Sequence, residues 1–424
     1  MTKLRTHMLF TFAPARLCII VLFCFAAVIA APAQSVFFTT LVSFDGANGG
    51  DGYSSLIQAT DGNFYGTTYA GGTMGNGTVF KVTAAGTLTT LHSFDGGDGA
   101  YPQAEVVQGS NGNFYGTTVG GGAEHGGVVF KITPTGTLTT LYNFCSQPNC
   151  TDGYNPRAGL VQGSDGNFYG TTFLGGADNN CPMWQGNGCG TVFKITPAGT
   201  LTTLYSFCAQ PNCTDGSYPF AGLVQGSDGN FYGTAQYGGN LGCGSRGYGC
   251  GTVFKITPSG TLTTLHTFAG PDGAQPYAGL VQGRDGYLYG TTPGGANGYG
   301  TVFKISSVGT LTTLYKFCSQ PNCTDGSYPE TALVQANDGN FYGTTGGGGA
   351  YDWGTVFKIT PTGALTTLYG FCSQPNCADG AQPFAGLVQG RDGNFYGTTT
   401  EGGTDGLGTV FRLGVVRSCV TCRP

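Results

Sequence analysis

Across residues 159–207 the apolar positions gather into four short runs, "GLVQ", "FYGTT", "GTVFKI" and "TLTTLYSF", separated by Gly, Pro, Asn and Asp. Runs of this length, rich in Val, Ile, Thr, Tyr and Phe, predict β-strands. Aromatic and β-branched residues stand at successive positions, as in Phe168-Tyr169, instead of alternating with polar ones. Each sheet is therefore expected to be covered on both faces, as when it packs between two like neighbours. Asp165-Gly166 predicts a two-residue type I′ hairpin, with positive φ at both centres, between the first and second strands. "TPAG" at residues 196–199 predicts a Pro-started turn between the third and fourth.

The same order returns along the whole chain. Copies of "DGNFYGTT" begin at Asp61, Asn111, Asp165, Asp228, Asp285, Asp338 and Asp392, at intervals of 50, 54, 63, 57, 53 and 54 residues. That period belongs to propellers or solenoids. A solenoid needs atypical capping repeats, whereas here the last copy looks internal and stops after its third strand, "GTVFRLG" at residues 408–414. The missing fourth strand stands at the other end, as "FFTTLVSFDG" at residues 37–46. The expected fold is all-β: a seven-bladed β-propeller of four-stranded blades over residues 34–414, its ring closed by an N-terminal strand that completes the last blade.

Ahead of it, Lys3, Arg5 and Arg16 precede an apolar run at residues 17–30, and Ala31 and Ala33 of "APAQS" supply the small residues of a cleavage site. Residues 1–33 thus read as a signal peptide, against the competing reading of a retained anchor, for which the apolar run is a little short. The expected location is secreted, periplasmic or extracellular. Residues 415–424 form a Cys-containing tail.

The repeated "LVQGSDGNFYGTT…GG…GTVFKITPxGTLTTLYSF" resembles the GloVer tandem repeat of exported bacterial proteins, over essentially the whole mature chain. The resemblance implies an extracytoplasmic, propeller-like repeat protein, often with a C-terminal sorting anchor, and brings no catalytic residues. This chain departs from it in ending "VVRSCVTCRP", without an apolar span.

Composition narrows the partners. With 9% charged residues, a net charge of -5 and no basic block, the chain lacks the footprint of a nucleic-acid binder. No later stretch is long and apolar enough to span a membrane, so none is expected in the mature chain. Fourteen of the sixteen cysteines follow the leader, all as neighbours: Cys145 with Cys150, Cys181 with Cys189, Cys208 with Cys213, Cys243 with Cys250, Cys318 with Cys323, Cys372 with Cys377 and Cys419 with Cys422. An even count in an exported chain reads as disulfides. Zinc competes poorly, since each pair offers two thiolates where a tetrahedral site wants four ligands. No metal and no cofactor is expected, and glycine runs such as "GGTMGNG" have no following helix to make a phosphate site.

In up-and-down blades the second-to-third loops and the blade-to-blade loops share one face, which holds every cysteine loop and insertion. Function concentrates on such variable loops. The residue after Pro on the approach to the innermost strand differs from copy to copy: Gln103, Arg157, Phe220, Tyr277, Glu330 and Phe384, with Ser54 in the first copy, which lacks the Pro. It is expected to ring the channel mouth, where aromatic planes and a few polar groups would hold a ligand such as a sugar; the bland alternative is a solvated loop position. Two positions are instead constant. Gln58, Gln108, Gln162, Gln225, Gln282, Gln335 and Gln389 are expected to make inter-blade hydrogen bonds, and the third-strand Lys81, Lys131, Lys194, Lys255, Lys304, Lys358 and Arg412 to be solvated outer charges. His92 and His266 replace a strand Tyr and read as packing variants. Catalysis has only thin candidates, the Glu124–His125 pair and the loop carboxylates Glu124, Glu330 and Glu401, and no catalytic residue is assigned. Three classes stay open: a scaffold binding a carbohydrate, a structural or adhesive protein with a cell-surface protein partner, and a glycan-active hydrolase or lyase.

Overall fold

The computed structural model describes residues 35–178, 181–182, 186–243, 247–295 and 297–416. They build seven four-stranded antiparallel sheets, the blades of a β-propeller. The third blade shows the pattern: Val161–Gln162 innermost, then Phe168–Thr172, Thr191–Ile195 and Leu201–Ser206. In the last blade Ser35–Ser43 lies beside Thr409–Val416, which pairs with Phe395–Thr398 and then Val388–Gln389. The Phe44 N–H donates to the Gly408 carbonyl at 3.0 Å. The ring is thus closed by strand exchange between the two ends of the repeat array, and its last strand runs two residues beyond the expected boundary at 414.

Each repeated letter has a blade-to-blade contact. The Tyr of "FYGTT" stacks on the Phe of the next copy: Tyr65 on Phe114, Tyr115 on Phe168, Tyr169 on Phe231, Tyr289 on Phe341, Tyr342 on Phe395, and Tyr396 back on Phe64, with ring centroids 3.9–4.1 Å apart. At the remaining junction Leu288 takes the Phe place and packs in one cluster with Tyr232. A second belt sets the Phe that ends each fourth strand edge-on against the third-strand Phe of the next blade, from Phe44–Phe80 round to Phe371–Phe411, at 5.2–5.6 Å. Stacked and edge-on pairs are the favoured aromatic geometries, and these rings are fully buried. The glycine between them is required by the same packing, because a Cβ on Gly170 would meet Phe193 Cζ at 2.6 Å.

Two polar belts run beside the aromatic ones. The first Thr of "GTT" donates to a carbonyl of the next blade, as Thr171 Oγ1 does to Ala221 at 3.0 Å, and Thr398 closes the circle onto Ser54 at 2.8 Å. The seven glutamines behave as expected. Each Oε1 accepts an amide from the preceding blade's turn at 2.8–2.9 Å, from Thr60 to Gln108 round to Arg391 to Gln58. The closure bond joins residues 333 positions apart.

The first turn differs from expectation. Gly163 N–H donates to the Asn167 carbonyl at 2.8 Å and Gly166 N–H to the Gly163 carbonyl at 2.9 Å, and only Gly166 has positive φ, +80°. This is a three-residue loop with one left-handed glycine, not a two-residue type I′ turn. The reason is Asp165, whose carboxylate accepts the Asn167 amide at 3.1 Å, the Asn167 side chain at 2.7 Å and the Tyr169 hydroxyl at 2.8 Å. An Asx turn of this kind keeps Asp165 on the negative-φ side and leaves the glycine to reverse the chain. The third-to-fourth turn repeats the plan, with Gly199 at φ +96°.

Candidate functional site

The chain reaches each innermost strand through a strained residue. Seven positions before each belt glutamine stands a non-glycine residue with φ between 52° and 61°: Asp51, Tyr101, Asn155, Tyr218, Gln275, Tyr328 and Gln382. Such backbone costs free energy and persists where surrounding contacts fix it. Here the contacts bridge blades: Asn155 N–H donates to the Gly126 carbonyl of the blade before at 2.8 Å, and its own carbonyl accepts Phe173 N–H at 3.1 Å. Two residues on, the side chain is delivered to the channel.

The six predicted positions Gln103, Arg157, Phe220, Tyr277, Glu330 and Phe384 line one cavity of about 410 Å³ at the channel mouth. The seventh member is Tyr53, not Ser54: counting back five from Gln58 lands on Tyr53, which lines the cavity. Ser54 is buried, with its hydroxyl donating to the Ser55 carbonyl at 2.8 Å. Around the rim Tyr53 lies nearly parallel to Phe384, centroids 6.1 Å apart, and Phe220 meets Tyr277 at 4.4 Å. The Arg157 guanidinium lies over Phe173 at 4.4 Å and Phe220 at 5.2 Å, and its Nε donates to Asn155 Oδ1 at 2.8 Å.

Two carboxyls share the cavity. Burial pushes Glu330 up to about 7. Burial likewise raises Glu105, which the sequence reading missed. Glu105 stands three before its belt glutamine, where the other copies have Ser55, Gly159, Gly222, Gly279, Ala332 and Gly386. It is the single acid in a ring of small residues, and the same copy-to-copy comparison at that position was the signal that would have found it. Its surface touches the channel, but protein surrounds it, which disfavours the charged form.

The other candidates are not gathered here. Glu124 and His125 are both exposed and, among the described residues, share no hydrogen bond; Glu124 and Glu401 lie outside the cavity lining. His92 and His266 are more than packing variants. His92 Nε2 pairs with Asp98 at 2.6 Å and His266 Nε2 with Asp272 at 2.8 Å. In the four blades with "CSQPNC"-type loops a tyrosine does the same work, as Tyr205 does by donating to Asp215 at 2.8 Å. Where the loop is short the nearer Asp calls for a histidine. The third-strand lysines are half-buried, not fully solvated. Burial alone would raise the Asp61 carboxyl, but hydrogen bonds from Asn63 and Tyr65, helped by the charge of Lys81, hold it below its usual range.

Among the described residues six disulfides form, each between the neighbours expected: Cys145 with Cys150, Cys181 with Cys189, Cys208 with Cys213, Cys243 with Cys250, Cys318 with Cys323, and Cys372 with Cys377. In the "CSQPNC"-type loops both cysteines stand at positive φ, Cys208 at 63° and Cys213 at 52°, Cys318 at 56° and Cys323 at 51°. The carbonyls of Cys213 and Cys323 each accept the amide of the glycine three residues on, at 2.9 and 2.8 Å, and so turn the chain back toward the blade. Cys250 belongs to a second-to-third loop instead, and its carbonyl accepts the Gln275 amide of the next blade's approach segment at 2.8 Å. The expected pair Cys419 with Cys422, like residues 1–33, lies outside the described residues. The sulfurs of Cys181, Cys189 and Cys208 come within 4.8 Å of one another. All three are bonded in disulfides, so as oxidised they offer no thiolate to a metal.

A family model described as the Gloeobacter/Verrucomicrobia repeat matches residues 27–184, 151–245 and 243–421. No curated protein sequence matches the chain. Among solved structures, it is similar to the extracellular domain of a hybrid two-component system protein from B. thetaiotaomicron, with a TM-score of 0.56, 10% identity, and coverage of 88% of this chain and 39% of that one. A second such domain from the same organism gives 0.54 and 11%, covering 89% and 42%, and a puromycin hydrolase gives 0.51 and 13%, covering 84% and 53%. The chain spans about two fifths of the first two and about half of the third. At these identities the likeness is one of fold.

Proposed function

From the premise that the chain belongs to the Gloeobacter/Verrucomicrobia repeat family, we propose that it is an exported propeller scaffold that binds a sugar-like ligand in the channel mouth. One observation carries the reading: the positions at which seven otherwise alike repeats differ converge on a single cavity of about 410 Å³. A scaffold contact would make those positions alike. The cavity offers Tyr53, Phe220, Tyr277 and Phe384 as apolar planes, with Gln103, Arg157, Glu105 and Glu330 as polar groups, the usual mixture of a small-molecule site. Export is supported by six disulfides, which persist in oxidising compartments. Among the described residues no helix is long and apolar enough to cross a membrane.

Stacking on each ring contributes on the order of a kcal/mol, so affinity should fall in roughly the millimolar to micromolar range. A glycan array followed by calorimetry tests this. A hit should be lost in the Phe220→Ala/Tyr277→Ala double variant while the chain still folds and unfolds cooperatively at the temperature of the binding assay. Absence of any carbohydrate hit, or binding that survives both substitutions, overturns the reading.

A second reading, an adhesive surface for a cell-surface protein, draws on exposed Tyr299, Tyr328, Tyr351 and Trp353 on the long-loop face, with Tyr299 and Tyr328 5.9 Å apart. Exposed aromatics of this kind are a feature of protein interfaces. Pull-down by a surface protein that persists in the Phe220→Ala/Tyr277→Ala variant and is lost when Tyr328 and Trp353 become Ala would favour it.

A further inference from the structure

Arg157 is the cavity's one cationic lining residue. Part of its surface is already used. Its guanidinium carbon lies 4.4 Å from the Phe173 ring centre and 5.2 Å from that of Phe220, two rings that meet edge-on at 5.9 Å, and its Nε is tied to Asn155, which is itself pinned by donating from its side chain to the Val119 carbonyl at 3.1 Å. The guanidinium is thereby held by two ring contacts and one hydrogen bond. What remains is the pair of terminal nitrogens, Nη1 and Nη2, and among the described residues neither has a hydrogen-bond or ion-pair partner. A guanidinium edge with two parallel N–H groups matches a carboxylate held by two bonds, a match that lysine cannot make. Leaving such a group half-buried and uncompensated is costly, and the six other blades avoid it by placing Tyr, Gln, Phe or Glu at this position.

Resting on the sugar-binding reading above, we infer that the ligand is an acidic sugar, one carrying a carboxylate that docks bidentately on Arg157 while its ring lies against Phe220 and Tyr277. The two cavity carboxyls do not oppose this at mildly acidic pH. Burial pushes Glu330 up to about 7, so at mildly acidic pH it presents an O–H donor to the sugar, and burial raises Glu105 in the same direction, which weakens the negative charge set against an anion.

The test uses an array of uronic-acid oligosaccharides paired with their methyl esters, at pH 6, on the wild-type chain and on Arg157→Gln, Arg157→Lys and Phe220→Ala/Tyr277→Ala. Esterification removes the charge and keeps the sugar. The acid should bind about tenfold or more tightly than its ester, Arg157→Gln should abolish that preference while leaving ester binding in place, and Arg157→Lys should restore only part of it. A change in packing alone would weaken acid and ester together and leave their ratio unmoved. Equal binding of acid and ester, or a preference that survives Arg157→Gln, overturns the acidic-sugar inference and leaves the sugar-binding reading standing. Binding of neither form to the wild-type chain counts against both.

Discussion

The belt and the mouth of the channel lie five residues apart on the same short segment, yet they obey opposite rules. At the belt every copy has Gln, and every Gln accepts the same inter-blade amide. At the mouth the seven copies read Tyr53, Gln103, Arg157, Phe220, Tyr277, Glu330 and Phe384. In a closed ring every blade meets a neighbour of the same shape, so one contact problem has one solution repeated seven times. Toward the channel axis the side chains meet neighbours that differ from blade to blade, as Arg157 meets Phe220 and Tyr53 meets Phe384, so no single solution is imposed. Sameness therefore marks the shared packing problem in this protein, and difference marks positions that it does not dictate, which is where the proposed site lies.

The comparison can be broken at its strongest point first. A chain starting after Phe44 lacks the strand Ser35–Ser43 and exposes the edge of Thr409–Val416. Its thermal or denaturant unfolding should show a loss of several kcal/mol; unchanged melting would mean that closure is not what holds the ring. Next in size, Tyr169→Ala removes a fully buried ring stacked on the neighbouring blade and should cost about 3–5 kcal/mol. The paired measurement is Phe220→Ala at the mouth, which should cost clearly less, since Phe220 is only partly buried. Equal losses would erase the distinction between belt and mouth.

A pH profile sharpens it further. Glu330 is held at about 7 in the fold against an ordinary value of 4.5. Between those values the native state binds the proton that the unfolded chain has released, so stability falls as pH rises through that window. Glu330→Gln should remove this slope, gaining on the order of 1–3 kcal/mol relative to wild type at pH 8 and almost nothing at pH 4. Parallel profiles for the two proteins would show that the carboxyl is not held neutral. The smallest effect belongs to the staples: Cys145 and Cys150 are five apart in sequence, so their bond closes a short loop and restrains the unfolded chain little compared with a long one. Replacing both with Ser should alter loop proteolysis more than the unfolding midpoint.

Much of the fold was legible because it is local or periodic. Strand letters, turn glycines and the misplaced fourth strand all stand in the sequence, and repetition multiplies a weak signal seven times. The Asp165-Gly166 turn was misjudged because a dipeptide rule does not see the Asn167 amide and Tyr169 hydroxyl that the Asp collects. Tyr53 was missed by alignment on the absent Pro, although the constant Gln58 gave the register. Glu105 stood in plain view as the one acid in a column of small residues.

What the sequence by itself determined is the repeat, its four strands and the need to close, since each blade has two apolar faces and cannot bury either one alone. Which residues stand together across that ring was decided only by the tertiary structure. Gln58 and Arg391 are 333 positions apart and bonded, and Arg157, Phe220 and Glu330 come from three different copies to one cavity. Periodicity fixes how each blade is made, but the burial of Glu330 in the cavity and the contact of Arg157 with Phe220 of the next copy arise only from the tertiary structure.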